Sequence, residues 1–290
     1  MERIGESELI LNGDGTIFHL HLKPENIADN IILVGDQGRV EMVSKYFDTV
    51  SFEASNREFI THTGTYKGKP ITVISTGIGT DNIDIVVSEL DALANIDLKE
   101  RIPKKEHRTL NLVRIGTSGA LQADIPVDTP VVSETSIGFD GLLNFYDGRE
   151  KLGNKDLQKA FLSHTNWDKE LATPYFADAS RELVEKIGFD MRKGMTISAP
   201  GFYGPQGRIL RLKTIDTNLN EKISAFEYEG RKITNYEMES SAIAGLSKLM
   251  GHNALTVCSI IANRMRKEYS VNYKVAVEKL VVTVLDRLLS

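Results

Sequence analysis

Cysteine is almost absent from this chain: Cys258 stands alone among 290 residues. A single thiol can form neither an internal disulfide nor a C-x-x-C metal or redox pair, which fits a reducing compartment. Long apolar runs are missing as well. No stretch reaches the roughly 18 apolar residues of a membrane helix. The opening MERIGESELILNGDG mixes charges with short apolar pieces and has no apolar signal region. We therefore expect no membrane span, no signal peptide and a cytoplasmic location. Basic charge is not in excess either: 35 Lys and Arg against 40 Asp and Glu give a net charge of −5. That balance argues against nucleic-acid binding, which draws on clustered Lys and Arg. It leaves room for a small anion held by a few local arginines. None of the six histidines shows H-x-x-x-H spacing, so no metal site is assigned.

What is present is an ordinary globular composition, 41% hydrophobic and 26% charged, which excludes disorder, collagen and coiled coil as the main architecture. Short β-branched runs end in Gly, Ser or Thr and are followed by helical periodicity. Such runs occur at Ile31–Val34, Ile71–Ser75, Leu112–Ile115, Pro130–Val132, Met195–Ser198 and Leu255–Ile261. Continuous apolar strands suit a sheet covered on both faces. Helical spacing marks Val40–Tyr46, Ile83–Leu93, Ala177–Ile187 and Met238–Met250. A final helix carries a stripe of Val275, Leu280, Val281, Val284, Leu285 and Leu288. The expectation is one α/β domain over 1–290, a central mixed β-sheet flanked by helices, with ligands at the carboxyl ends of strands. The charged run Lys99–Arg108, the interrupted segment 144–174 and the lone Trp167 read as surface elaboration and packing.

Several motifs could carry chemistry, and each has a bland reading beside the sharp one. Gly35 to Arg39 follows a strand, where backbone N–H groups and a guanidinium can close on an anion. Alone this is weak, and a tight turn beside a surface arginine accounts for it more simply. Thr76-Gly77-Ile78-Gly79-Thr80 departs from the G-x-G-x-x-G dinucleotide spacing. Arg114 falls inside an apolar strand, where an unpaired guanidinium is costly, so it pairs either with a carboxylate or with a phosphate. Thr117 and Ser118 add hydroxyls beside it. Gln206 and Arg208, after Phe202, could read the edge of a planar amide ring. Glu237-Met238-Glu239 precedes an apolar helix, where carboxylates are welcome for the dipole alone and would also suit a sugar. Cys258, in an apolar run, reads as a packed thiol.

Taken together and in order, VGDQGRV (34–40), NREF (56–59), STGIGT (75–80), VRIGTSGA (113–120), FYGPQGR (202–208), NYEMES (235–240) and IIANR (260–264) resemble the nucleoside phosphorylase family. The resemblance runs from FHLHL at 18–22 to the final helix. It implies a phosphate site of Gly35, Arg39, Arg114 and Thr117, completed by Arg57 from a neighbouring subunit. It implies a ribose site of Glu237, Met238 and Glu239 with His19 from the partner. The base would lie near Ser118, Gly119, Phe202, Gln206, Arg208 and Ile261. Arg114, Glu239 and Arg208 would carry catalysis. The implied reaction is phosphorolysis of uridine, extending to deoxyuridine or thymidine. Inorganic phosphate would be the co-substrate, with no organic cofactor, in a homodimer with shared sites or a hexamer built from three such dimers.

The chain departs from the family pattern in places. Gln37 stands where the family usually has proline, and Ser118 where it has a second Thr. Some bacterial members hold a monovalent cation near the positions matching Glu58 and Ile78, but the third match here is Asn82 rather than Ser. The rivals are a purine nucleoside phosphorylase, a hydrolytic nucleosidase on the same fold and a silent nucleoside-binding protein. Asn263 lies where purine members carry an aspartate, and three phosphate arginines are superfluous for hydrolysis or mere binding.

Overall fold

The structure, a computed structural model, describes residues 3–290. A 3-10 turn at Pro24–Asn26 leads into β1 (Asn30–Val34), α1 (Gly38–Ser44), β2 (Thr49–Asn56), β3 (Phe59–Tyr66), β4 (Lys69–Ser75) and α2 (Thr80–Asn95). A small hairpin of β5 (Ile96–Asp97) and β6 (Ile102–Pro103) precedes β7 (Asn111–Ala120) and β8 (Pro130–Gly138). Two 3-10 turns then lead to α3 (Lys155–Thr165), β9 (Tyr175–Asp178), α4 (Arg181–Ile187) and β10 (Arg192–Ser198). The chain ends with α5 (Leu219–Ala225), β11 (Glu227–Tyr228), β12 (Arg231–Glu237), α6 (Ser240–Met250), β13 (Asn253–Asn263), β14 (Glu268–Tyr269) and α7 (Tyr273–Leu288).

β1 shows why the apolar runs are unbroken. Its side chains alternate between two cores. Ile31 and Leu33 pack with Val86, Val87 and Leu90 of α2 and Leu246 of α6. Ile32 and Val34 pack with Val40 and Val43 of α1 and Val281 and Val284 of α7. Both faces are covered by helices, so neither position in the period-two repeat can be polar. On α7 the buried stripe is Val277, Leu280, Val281, Val284, Leu285 and Leu288. Val275, expected in that stripe, is 43% exposed and lies off it.

β4, β1, β7 and β13 run parallel, and the sheet continues through β8 and β10 to β12. β13 meets β8 antiparallel, and β12 returns antiparallel onto β7, with Asn235 opposite Ala120 and Tyr236 opposite Gly119. The strands β7, β13, β8, β10 and β12 therefore close into a ring. The antiparallel returns make the sheet mixed, as expected.

Other expectations need correction. Ala177–Ile187 is not one helix: Ala177 and Asp178 end β9, and Ser180 is the N-cap of α4, which starts at Arg181. The helix expected from Met238 begins at Ser240, because Glu237 is still in β12. Segment 144–174 is no bare loop, since α3 buries Leu157 and Phe161 against Phe176 and Phe226, with Trp167 packed on Phe139. The run Lys99–Arg108 is a set of clamps. Lys104 Nζ donates to the Ala94 carbonyl at the end of α2 at 2.8 Å, and Arg101 reaches the Leu9 carbonyl. Arg108 Nη2 donates to the Ile27 carbonyl at 2.8 Å. Cations on the last carbonyls of a helix satisfy otherwise orphaned acceptors.

Candidate active site

The glycine turns after β1 and β4 lie side by side: a Cβ on Gly35 would sit 3.6 Å from the Gly77 carbonyl. Gly79, at φ 97°, adopts a backbone that other residues rarely tolerate. That turn aims its N–H at Glu239 Oε1, 2.8 Å away. The Gly77–Gly79 motif is thus a donor to a carboxylate at the mouth of α2. Arg39, in the first turn of α1, reaches the edge of β7, where its Nη2 lies 3.5 Å from Thr117 Oγ1. Burial, reinforced by the nearby Arg114, lowers the Arg39 pKa, as expected of a cation placed beside another.

Arg114 sits on the α6 face of β7 and is 5% exposed. Its guanidinium lies back over Gly116, where any Cβ would collide with it. That steric demand explains the glycine two residues later. Nη2 donates to Glu239 Oε2, Nη1 lies 3.4 Å from Glu237 Oε2 and 3.5 Å from Cys258 Sγ, and Nε has no partner. Burial works against the charge, yet Glu239 and Glu237 outweigh it and raise the Arg114 pKa. Burial also pushes the Glu239 carboxyl up, opposed by Arg114 and aided by Glu237. Burial lifts the Cys258 thiol to about 12, so it is a neutral packing group. Both readings left open for Arg114 are compatible with this geometry: it has carboxylate partners now, and an unpaired N–H beside them.

Next along β7, Ser118 accepts from Asn235 Nδ2 at 2.9 Å, and a Cβ on Gly119 would sit 3.9 Å from Arg264 Nε. Ile261 sits at a bulge where the β13–β7 register shifts. Gln206 is buried, with its Oε1 accepting from Arg208 Nη1 at 2.6 Å and Arg264 Nη2 at 3.1 Å. Its carbonyl is thereby occupied, leaving the Nε2 amide to donate. Arg208 also donates to the Phe202 carbonyl and lies 3.7 Å from the centre of the Phe202 ring. Arg264 has no role in the sequence reading; its signal was a guanidinium directly after the last core strand. Burial, with Arg208 beside it, lowers its pKa to about 10.

His19 and Arg57 stand apart from these groups. His19 Nδ1 pairs with Glu89 Oε1 at 2.6 Å, and Asn56 Nδ2 donates to the His19 carbonyl at 2.7 Å. Arg57, exposed at the β2–β3 turn, lies 5.9 Å from the Phe18 ring centre. Gln37 donates to the Arg57 carbonyl at 2.7 Å, so the residue replacing proline ties the first glycine turn to this one. Met238 is half-buried beside Glu239.

Two clusters invite a cation. Asn82 Nδ2 donates to the Ile78 carbonyl at 3.2 Å and crowds Gly77 together with Glu58. The Asn82 amide thus takes one of the two lone pairs of the Ile78 carbonyl. Asp91, His107 and His252 also converge. However, His252 Nδ1 accepts the Leu110 N–H at 3.1 Å, so Nε2 carries the proton and donates to Asp91 at 3.0 Å. His107 Nε2 donates to the Met250 carbonyl at 2.9 Å. These rings fasten the α6–β13 turn.

The glycine turns after β1 and β4, the buried Arg114–Glu239 pair and the cluster of Gln206, Arg208 and Arg264 thus gather around the carboxyl ends of parallel strands. The chain belongs to the phosphorylase superfamily, whose model matches residues 29–290. It is 28% identical to the uridine phosphorylase of Thermococcus kodakarensis over 93% of this chain and 85% of the relative. The uridine phosphorylase of Escherichia coli is 29% identical over 87% and 88% of the two chains. A crystal structure of a Trypanosoma brucei nucleoside phosphorylase, described as showing uridine phosphorylase activity, superposes with a TM-score of 0.88. It is 30% identical, over 97% of this chain and 99% of that one.

Proposed function

We propose that the chain catalyses phosphorolysis of uridine to uracil and ribose 1-phosphate, a pentosyl transfer. The observation that carries this reading is the order of groups along β7. Arg114 is followed along the strand by Thr117, with Arg39 beside it, and then by Ser118 and Gly119, next to which Arg264 holds Gln206 and Gln206 holds Arg208; phosphate is assigned to the first group and the base to the second. Phosphate lies against Arg39, Arg114, Thr117 and the Gly35 turn, which raises its local concentration beside the sugar. Its oxygen attacks C1′ as the C1′–N1 bond breaks, and the sugar carbon becomes cation-like, as in other glycosyl transfers. Glu239, with Met238 against the ring, favours that positive sugar. The bond's electron pair leaves on uracil, and the proton of hydrogen phosphate ends on the departing base. The Gln206 amide and the Arg208 guanidinium meet uracil carbonyls, where charge builds as the base leaves, so this contact strengthens in the transition state.

Asn263 supports a pyrimidine rather than a purine. Its Nδ2 donates to the Gln122 and Ile125 carbonyls at 2.9 and 2.7 Å, and its Oδ1 accepts the Arg266 N–H. It is spent on a turn and offers no acid to a purine ring. Arg57 and His19 belong, in this proposal, to the neighbouring subunit's site, making a shared-site homodimer or a trimer of such dimers. A small-molecule nucleoside and phosphate are the substrates. Among the described residues no helix is long and apolar enough to cross a membrane. The cytosol is the compartment proposed, supported by one buried thiol. Free base should be released from uridine only when phosphate is present. Equal release without phosphate refutes the proposal in favour of hydrolysis, and faster cleavage of inosine than of uridine refutes the pyrimidine assignment.

A further inference from the structure

Two carboxylates hold Arg114, and they are not equivalent. Glu239 gives one oxygen to Arg114 and the other to the Gly79 N–H, so each of its oxygens has a single donor. Glu237 is enclosed on all sides, its side chain 1% exposed. Ser198, its neighbour across the β10–β12 ladder, donates a hydroxyl to Oε1 at 2.6 Å. Ser240 donates its hydroxyl to the same oxygen at 2.7 Å and its N–H to Oε2 at 2.9 Å. The Glu239 N–H adds a further bond to Oε2 at 2.9 Å. An ionised carboxylate accepts about four hydrogen bonds, so no lone pair is left for a sugar hydroxyl.

We infer that Glu237 is a positioning residue, not a ribose ligand. It is the permanent counter-ion of Arg114, fixed by Ser198 and Ser240, while Glu239 alone exchanges Arg114 for the sugar. This inference rests on the proposed phosphorolysis and corrects the role that family resemblance implied for Glu237. The division has a physical purpose. When Glu239 turns to the ribose, a guanidinium this deeply buried would lose its only counter-charge if Glu237 also moved. A carboxylate saturated by hydroxyl and backbone donors keeps Arg114 charged and aimed at phosphate throughout turnover.

Steady-state phosphorolysis of uridine, 2′-deoxyuridine and 3′-deoxyuridine tests this in wild type, Glu237→Gln, Glu239→Gln and Ser198→Ala. Glu237→Gln turns an NH2 toward donors and should lower kcat/KM about 10- to 100-fold. That factor should be the same, within about twofold, for all three nucleosides, since a residue that does not touch a hydroxyl has no coupling to it. The Glu239→Gln loss should shrink on at least one deoxynucleoside. Ser198→Ala should raise the phosphate KM about 3- to 10-fold with the nucleoside KM unchanged, and Ser198→Thr should restore it. A Glu237→Gln loss that collapses on a deoxynucleoside overturns the inference, as does Ser198→Ala with wild-type phosphate KM. If wild type releases no uracil at all, the functional reading fails instead. The stabilisation of Tm by inorganic phosphate then decides: a smaller shift in Ser198→Ala upholds the role of Glu237, and an equal shift overturns it.

Discussion

Replacing Arg114 with methionine should leave a protein whose stability falls as pH rises. The side chain keeps its length and apolar bulk, so little cavity forms. What is lost is the cation between Glu237 and Glu239, both buried. Breaking a buried pair from one side costs about 3–5 kcal/mol, because the remaining charge is uncompensated. The Glu239 carboxyl is already pushed up by burial and by Glu237, and Arg114 is what opposes that rise. In the variant its folded pKa climbs further above the unfolded value of about 4.3. A carboxyl raised in this way is protonated in the folded state and ionised in the unfolded one. Its deficit is absent below the unfolded pKa and grows with pH until the folded pKa is passed. The slope in that window is about 1.4 kcal/mol per pH unit for one proton. Urea unfolding at pH 5 and pH 8 should therefore show a variant close to wild type at the lower pH and several kcal/mol weaker at the higher. Adding Glu239→Gln to Arg114→Met removes the stranded charge and should recover much of the loss. A deficit indifferent to pH, or a double variant no more stable than the single one, would refute the idea that Arg114 neutralises this pair.

Three further outcomes are expected. Arg208→Ala should lower kcat/KM for uridine by about 10- to 100-fold while sparing the phosphate KM; an unchanged uridine rate removes Arg208 from base recognition. Mixing inactive Arg57→Ala subunits with inactive Arg114→Ala subunits, under conditions where subunit exchange is demonstrated, should restore part of the activity. No recovery argues for sites contained within one chain. Because Asn82 already donates to the Ile78 carbonyl, turnover and Tm should be the same in potassium and in choline buffers; a potassium requirement would show that the amide yields to an ion.

The strands were legible because each one is buried on both faces, so β1, β4, β7 and β13 stand out as apolar runs. The β2–β3 hairpin was not, since β2 lies at the sheet edge and its exposed positions, Val50 apart, carry Thr, Ser and Glu. β12 hid for another reason: Thr234, Asn235 and Glu237 are buried polar residues satisfied by neighbours, and no local pattern announces them. In the site, Arg114 could be picked out alone, as a charge among β-branched neighbours. Glu239 could not be told from Glu237 by position near a helix start. Their difference lies in Ser198, which reaches Glu237 only because β10 and β12 pair in parallel. Arg264 was overlooked because a lone arginine after a strand resembles any surface residue until Gln206 folds onto it.

The ring of strands beneath the site has a consequence for how the molecule must be made. Asn235 meets Ser118 across 117 residues of chain, and Arg114 meets Glu239 across 125. Closing such loops is entropically unfavourable until the contacts they bring are formed together. The first strands and α2 can assemble from local pairings, β2 with β3 and β3 with β4. The seam between β7 and β12 cannot form until the chain as far as Glu237 is free to fold. Catalytic competence should thus arrive with the last and slowest phase of refolding, well after most helical signal has been regained.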